Sequence, residues 1–332
     1  MPNPNRIPMS PEEYILREME ARHEAEAAEW DHPEAMLMAG SNRNPRRRRA
    51  ANAEATVGNL ITPNANITFD RLILHPEVER DVEAAIRAIS RRPQLEAVWG
   101  IEAIQSQQGR CILNFFGKAG TGKTQTAKAI ANRLGKPLYW VDYSAIISKY
   151  LGDTAKHIAR AFREATEAGA ILMFDEADSL LSKRVSAGES CSTSINQNRN
   201  VMAQCLDQFD GIVICTTNLF DNFDEMMLRR IQRHIEFKLP DAGMRRRLFD
   251  IHLPKKDQVD ADLGEVARES EGLSGGDVLT VCVNAMHAAS IGDDPTAWRI
   301  TTDILLDEVD AVLVAKRKHN RNRERGHIGF QA

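Results

Sequence analysis

The sequence predicts an α/β fold in which a mainly parallel sheet is followed by a small helical domain. Over residues 59–240, short apolar segments alternate with segments of helical spacing, a pattern typical of parallel strands joined by helices. The strand signals then cease, and residues 241–318 show helical periodicity alone. The chain has 332 residues, which is enough for one large or two medium domains.

Local patterns predict the individual elements. Short apolar runs predict strands at 111–116, 138–142, 170–174, 211–217 and 234–237. Helical spacing predicts helices at 123–134, 154–168, 241–252, 259–270, 276–290 and 302–317. Gly135 and Pro137 follow the first of these helices and provide its stop signal.

The two ends of the chain differ in composition from the rest. Residues 1–58 comprise an acidic segment of helical composition, with nine acidic side chains against two arginines over 11–39, and a linker that carries the basic run Arg46–Arg49. A solvated linker is the favoured interpretation of that run, and binding of phosphate or of an acidic partner is the alternative. Residues 319–332 form a basic tail, which we expect to be frayed.

Composition argues against several classes of protein. The net charge is −4, from 43 Lys and Arg against 47 Asp and Glu, so no overall basic field favours nucleic acid as a partner. The longest apolar stretches are strand-sized, far below the ~20 residues that a membrane span needs. The N-terminus lacks the apolar run of a signal peptide. The five cysteines form no CxxC pair, and we expect reduced thiols and a cytoplasmic location.

A glycine-rich segment carries the first chemical signal. Residues 117–124 read GKAGTGKT, which fits the phosphate-binding pattern G-x-x-x-x-G-K-[ST] between a predicted strand and a predicted helix. Such a backbone can surround a phosphate with N–H groups, and the helix N-terminus adds its positive dipole end. Lys123 is expected to reach the β- and γ-phosphates, and Thr124 to bind Mg²⁺ through its hydroxyl. The predicted nucleotide ligands are Gly117, Lys118, Ala119, Gly120, Thr121, Gly122, Lys123, Thr124 and Gln125. The alternative is a purely structural glycine-rich turn.

Two carboxylates follow a buried strand further along the chain. Strand 170–174 is followed by Asp175 and Glu176, and acidic groups at the carboxyl end of a parallel strand face the ligand crevice. We expect Asp175 to hold Mg²⁺ and Glu176 to orient and deprotonate an attacking water. The alternative is that both acids cap a helix at 176–183.

With these motifs the chain resembles the AAA family of ATPases over about residues 66–317. Five segments match in the family's order: FGKAGTGKT, SKYLGDT, ILMFDEADSLLSKR, TTNLFDNFDEMMLRRIQRHIEF and EGLSGGDV. The short form of the fourth segment is most similar to the katanin and spastin-like branch. The resemblance implies a P-loop NTPase sheet, the AAA+ large subdomain, at 59–240 and a helical lid subdomain at 241–318. It also implies ATP and Mg²⁺ as cofactors and a ring, commonly a hexamer, that remodels proteins.

The resemblance assigns further roles around the nucleotide. Asn218 falls at the sensor-1 position, where an amide binds the γ-phosphate or the attacking water; the alternative is a turn-capping Asn. The arginine-finger region contains Arg229, Arg230 and Arg233, which in the family reach the neighbouring subunit's nucleotide. Arg229 and Arg230 are favoured for that role, and Arg233 has a structural alternative.

Base contacts and a substrate pore are also implied by the resemblance. Gly275 and Gly276 match the sensor-2 position. His252, Leu72 and Ile73 match positions at which the family contacts the nucleoside. The alternative for His252 is an ordinary residue of a helix in the lid. The pore residues would be Lys149, Tyr150 and Leu151, of which Tyr150 would grip an extended polypeptide, unless it is a core tyrosine. The polar stretch 185–199 is expected to form a mobile second pore loop.

The function that follows is an ATP-hydrolysing ring that pulls a polypeptide through a central pore. Its partners would be copies of itself, a protein substrate, and an adaptor or client bound by residues 1–58. Two alternatives stay open: an AAA+ nucleic-acid motor or loader, and a nucleotide-gated adaptor with little turnover.

Overall fold

The structure, a computed structural model, describes residues 56–64, 66–100, 110–143, 146, 153–181, 192–218, 223–254, 256–291 and 293–328. Thr56–Ala332 form one compact unit. The acidic segment 11–39, the run Arg46–Arg49 and the expected pore residues Lys149, Tyr150 and Leu151 lie outside the described residues.

A mostly parallel sheet of six strands forms the centre of this unit. In chain order its strands are β1 (Asn59–Ile61), β2 (Cys111–Gly117), β3 (Leu138–Asp142), β4 (Ile171–Asp175), β5 (Ile212–Thr217) and β6 (Arg233–Phe237). Their order across the sheet is β1-β3-β4-β5-β2-β6. Only the pairing of β1 with β3 is antiparallel among these described strands. The predicted α/β fold with a mainly parallel sheet is therefore confirmed.

Helices cover both faces of the sheet. They are α1 (Pro76–Ser90), α2 (Arg92–Trp99), α3 (Lys123–Arg133), α4 (Thr154–Glu167), α5 (Asp178–Leu181), α6 (Ser192–Gln208) and α7 (Glu225–Leu228). On one face Phe174 packs with Ile158 of α4 and Leu206 of α6. On the other face Phe115 packs among residues of α1 and α3. Because both faces are buried, the central strands are apolar throughout rather than alternating.

Four helices and two very short strands form the second region. The helices are α8 (Ala242–His252), α9 (Leu263–Glu269), α10 (Gly275–Ala289) and α11 (Thr302–Ile328), and the strands are β7 (Val259–Asp260) and β8 (Ile300–Thr301). The helices share a core that includes Phe249, Val266, Val278 and Leu305. N-caps begin three of them: Asp241 before α8, Asp262 before α9 and Ser274 before α10.

Three sequence-based expectations are wrong here. The helix expected at 259–270 begins only at Leu263, because Val259 and Asp260 form β7, which pairs in parallel with β8; strands of two residues are too short to show a period of two. The helix expected at 302–317 continues to Ile328, into the expected frayed tail. Residues 192–199 of the expected pore loop lie in α6, where Arg199 is buried. Residues 185–191 lie outside the described part.

Within the described residues, no helix combines the length and apolar character that crossing a bilayer requires.

Gly117 ends β2 in a conformation that other residues rarely adopt. Its φ is +135°, and a Cβ added there would lie 2.2 Å from the carbonyl oxygen of Phe237 on β6. Gly135 also has a positive φ, +63°, but a Cβ there would meet no atom within 4 Å. Substitution of Gly135 therefore introduces backbone strain alone, whereas substitution of Gly117 introduces strain together with a clash against the backbone of Phe237.

We expect Gly117→Ala to lower the free energy of unfolding by more than about 3 kcal/mol, because strain and clash add. Gly135→Ala serves as the control and is expected to lose only about 1 kcal/mol, from the left-handed φ alone. Urea unfolding of both variants measures the difference. Equal losses in the two variants would contradict this explanation of Gly117.

Candidate functional site

The carboxyl ends of the central strands border a cavity of about 520 Å³ that reaches the second region. It brings together most of the residues that the sequence singled out. The predicted site residues among its lining are Leu72, Ile73, Ala119, Gly120, Thr121, Gly122, Lys123, Thr124, Gln125, Asp175, Glu176, Asn218, His252, Gly275 and Gly276. Gly117 and Lys118 lie just before the lining segment, and their carbonyls contact Lys123.

The glycine-rich segment, residues 117–124, is called the phosphate loop below. Gly120 and Gly122 have φ values of +76° and +100°, which let the loop turn sharply before α3 begins at Lys123. No side chain caps this helix within the described residues, so its first backbone N–H groups remain available to a ligand. The loop thus has the geometry of an anion-binding helix N-terminus.

Lys123 connects the phosphate loop to the end of β5. Its Nζ donates to the carbonyl oxygens of Gly117 (2.6 Å) and Lys118 (3.0 Å) and to Oδ1 of Asn218 (2.9 Å). Burial lowers the pKa of Lys123, while the carboxylates of Asp178, Asp175 and Glu176 act in the opposite direction. The ammonium is therefore held at the centre of the site, between the loop and the expected sensor amide.

Asp175, the last residue of β4, receives hydrogen bonds from three neighbours. Thr124 Oγ1 lies 3.2 Å from Oδ2, and the indole Nε1 of Trp140 donates to the same oxygen at 3.1 Å. The hydroxyl of Thr216 donates to Oδ1. A hydroxyl and a carboxylate side by side are hard oxygen donors, and Mg²⁺ binds through one or two carboxylates together with substrate phosphates.

Glu176 follows in a strained conformation. Its φ is +54°, and among the described residues it is the one non-glycine with a positive φ. Its backbone N–H donates to Thr216 Oγ1 at 3.2 Å, and its side chain is exposed at the cavity. Such strain costs about 1 kcal/mol and persists where surrounding contacts impose it, often at functional sites.

Asn218 is positioned by a carboxylate that the sequence did not single out. Asp178 Oδ1 accepts the backbone N–H of Asn218 at 2.9 Å and the hydroxyl of Thr217. Trp140 and Thr216, which hold Asp175, were also not predicted. The sequence does show that these polar or N–H-bearing side chains lie near the ends of apolar strands. It does not show which residues they contact, because their partners lie on other strands and leave no local pattern.

The far end of the cavity is apolar. Leu72 and Ile73 line it together with Leu248, His252 and Leu279 from the second region. Burial lowers the pKa of His252, which favours the neutral form of its ring. A flat aromatic base fits a slot of this composition better than a charged group does.

Helix α10 meets the phosphate loop through small residues. The N–H of Gly276 donates to the carbonyl oxygen of Gly120 at 3.0 Å, and a Cβ at Gly275 would lie only 3.3 Å from that oxygen. Ser274 and Asp277 form a capping box at this helix end, and Lys316 of α11 pairs with Asp277. Burial alone would raise the pKa of Asp277, but the bonds from Lys316 and Ser274 bring it below its usual value.

The expected arginine fingers do not line the cavity of their own chain, and their environments differ. Arg230 is 23% exposed and donates to Oδ1 of Asp207 at 2.9 Å and to the Met226 carbonyl at 2.7 Å, with a second bond to Asp207. Arg229 is 82% exposed, and its pairing with Glu225 is long, at 3.9 Å. Arg233 begins β6 with an exposed side chain. Of the two favoured arginines, Arg230 is thus committed to contacts inside the chain, whereas Arg229 faces solvent.

Comparison with known proteins agrees with this geometry. Residues 113–239 match the family described as "ATPase family associated with various cellular activities (AAA)". The Cell division cycle protein 48 homolog of Archaeoglobus fulgidus is 38% identical over 181 residues, 51% of this chain and 24% of the relative. The 26S proteasome regulatory subunit 4 homolog of Dictyostelium discoideum is 36% identical over 181 residues, 51% of this chain and 40% of the relative.

A further relative aligns over more of the chain. The Proteasome-activating nucleotidase of Saccharolobus solfataricus is 28% identical over 275 residues, 80% of this chain and 67% of the relative. By contrast, the chain spans less than half the length of the Archaeoglobus fulgidus and Dictyostelium discoideum relatives. The expected kinship to the katanin and spastin-like branch stays a prediction. The fold, the phosphate loop with its acidic strand end, and the match over residues 113–239 therefore make this part of the chain similar to the AAA family of ATPases.

Proposed function

We propose that the chain hydrolyses ATP with the help of Mg²⁺ and uses the energy to remodel proteins. The observation that carries the proposal is the convergence of the phosphate loop, Asp175, Glu176 and Asn218 on one cavity. Its volume of about 520 Å³ lies within the usual range for small-molecule and cofactor sites. Relatives named as a nucleotidase and as a proteasome regulatory subunit support both parts of the proposal.

The residues divide the chemistry between them. The N–H groups at the start of α3 and the ammonium of Lys123 bind the phosphates, and the apolar end near Leu72 holds the base. Thr124 and Asp175 would hold Mg²⁺, which supplies positive charge to the transferred phosphoryl group. Glu176 orients the attacking water and accepts its proton, while the amide of Asn218 fixes the water or the terminal phosphate.

Glu176→Gln tests the hydrolytic step. The substitution keeps the shape of the side chain but removes the base, so ATP binding is expected to stay within about threefold while turnover falls by about 100-fold or more. Equilibrium binding and phosphate release measure the two effects. Turnover close to wild type in this variant would exclude Glu176 as the base. Negligible turnover by the assembled wild-type protein would instead favour the nucleotide-gated adaptor.

We propose that the active form is a ring of identical subunits, most simply a hexamer. The exposure of Arg229 supports this, because a guanidinium that is always charged and faces solvent is available to a phosphate on a neighbouring copy. Residues 149–151 would then lie at the pore and contact a protein substrate, with residues 1–58 recruiting the client or an adaptor. Free thiols at Cys111, Cys205, Cys215 and Cys282 support a cytoplasmic location.

Mixing two inactive variants tests whether subunits share active sites. Arg229→Ala is expected to bind ATP but hydrolyse it at least about 10-fold more slowly, since the site lacks its cation from the neighbour. Glu176→Gln retains that arginine but lacks the base. A mixture should therefore regain hydrolysis, because some interfaces combine an intact base with an intact arginine.

Arg247→Ala, at another exposed arginine, serves as the surface control and should behave as wild type. If the mixture is no more active than its components, Arg229 does not act between subunits.

A further inference from the structure

Trp140 contacts the expected metal carboxylate from outside the cavity. The residue lies on β3, next to β4, and its indole Nε1 is 3.1 Å from Oδ2 of Asp175. Its ring packs against the buried core on the α1 and α3 face of the sheet and is not part of the cavity lining. The indole therefore approaches the carboxylate from behind, where it would not touch a nucleotide.

The chemistry of the indole suits this position. Its N–H is a donor only, so it can hold a carboxylate oxygen without becoming a metal ligand itself. The large ring is fixed by packing against its neighbours, so the donor has a defined position. An aspartate on its own could turn about its side-chain bonds and present its oxygens in several directions.

Thr216 holds the second oxygen of the same carboxylate. Its hydroxyl donates to Oδ1 of Asp175, and the threonine is almost fully buried on β5. One donor on each oxygen, from the strands on either side of β4, prevents the carboxylate from rotating. Thr124 contributes the third bond; like Thr216 it lines the cavity, but it is also an expected metal ligand.

We propose that Trp140 is a positioning residue that, with Thr216, fixes Asp175 in the orientation that binds Mg²⁺ with the nucleotide. The inference deepens the proposed function and rests on it. Loss of such a supporting hydrogen bond typically weakens metal affinity by about 10- to 100-fold. The defect should appear in the metal-dependent part of nucleotide binding and leave the metal-free part intact.

The test compares the affinity of the full-length protein for a non-hydrolysable ATP analogue in excess Mg²⁺ with its affinity in EDTA. For wild type the ratio of the two affinities exceeds one. Trp140→Phe keeps an aromatic ring but removes the N–H. We expect the affinity ratio of this variant to fall by about 10-fold or more. If the wild-type ratio is itself below about 10, the ratio of the variant should fall to one. Its affinity in EDTA should stay within about twofold of wild type.

Two further variants complete the experiment. Trp99→Phe, at an exposed tryptophan on α2, is the matched control and should keep the wild-type ratio. Thr216→Val is nearly isosteric and loses the other donor, together with the acceptor of the Glu176 backbone N–H. It should also lower the ratio, and it decides the matter if Trp140→Phe does not fold. A ratio within about twofold of wild type in either folded variant, Trp140→Phe or Thr216→Val, overturns the proposal. Failure of wild type to bind the analogue in either condition contradicts the proposed function instead.

Discussion

The turn that ends β2 constrains the rest of the structure. Gly117 passes so close to the Phe237 carbonyl that no side chain fits, and a Cβ added at Gly120 would lie 2.4 Å from the hydroxyl oxygen of Ser274 at the start of α10. The loop is therefore held between the sheet on one side and the second region on the other. Because the backbone is fixed at both contacts, α3 begins at Lys123 with its N–H groups directed at the cavity.

Charge balance is the second constraint on the site. The buried ammonium of Lys123 lies near the carboxylates of Asp175, Glu176 and Asp178. Burial lowers the pKa of Lys123, and each of the three carboxylates raises it. Buried charges are costly unless they are paired and hydrogen-bonded. Asp175 and Asp178 meet that requirement through hydroxyl and N–H donors from β3, β5 and α3 and from Asn218, which follows β5. The site is thus held in shape before any ligand arrives, as preorganised catalysis requires.

Much of the sheet and of the site could be predicted from sequence because their signals are local. Each predicted strand is within one residue of the observed one at either end, since strands buried on both faces are continuously apolar. Lys123, Asp175 and Asn218 could be grouped because parallel strands bring their carboxyl ends to one edge of the sheet. The positive φ of Glu176 and the hydrogen bond from Trp140 to Asp175 could not be predicted from the sequence, since both depend on contacts between separate strands. The same holds for the difference between Arg229 and Arg230, which is set by Asp207, a residue on α6.

Equilibrium binding of ATP to Lys123→Met most directly tests the claim that the phosphate loop is a nucleotide cradle. Wild type should bind ATP, and the variant should bind it at least about 100-fold more weakly, because it loses the buried cation that faces the phosphates. Lys136→Met changes an exposed lysine that follows α3 and lies outside the cavity lining, and this variant should bind almost as wild type does. Equal ATP affinity in wild type and a folded Lys123→Met variant, or no binding by wild type, would contradict the account.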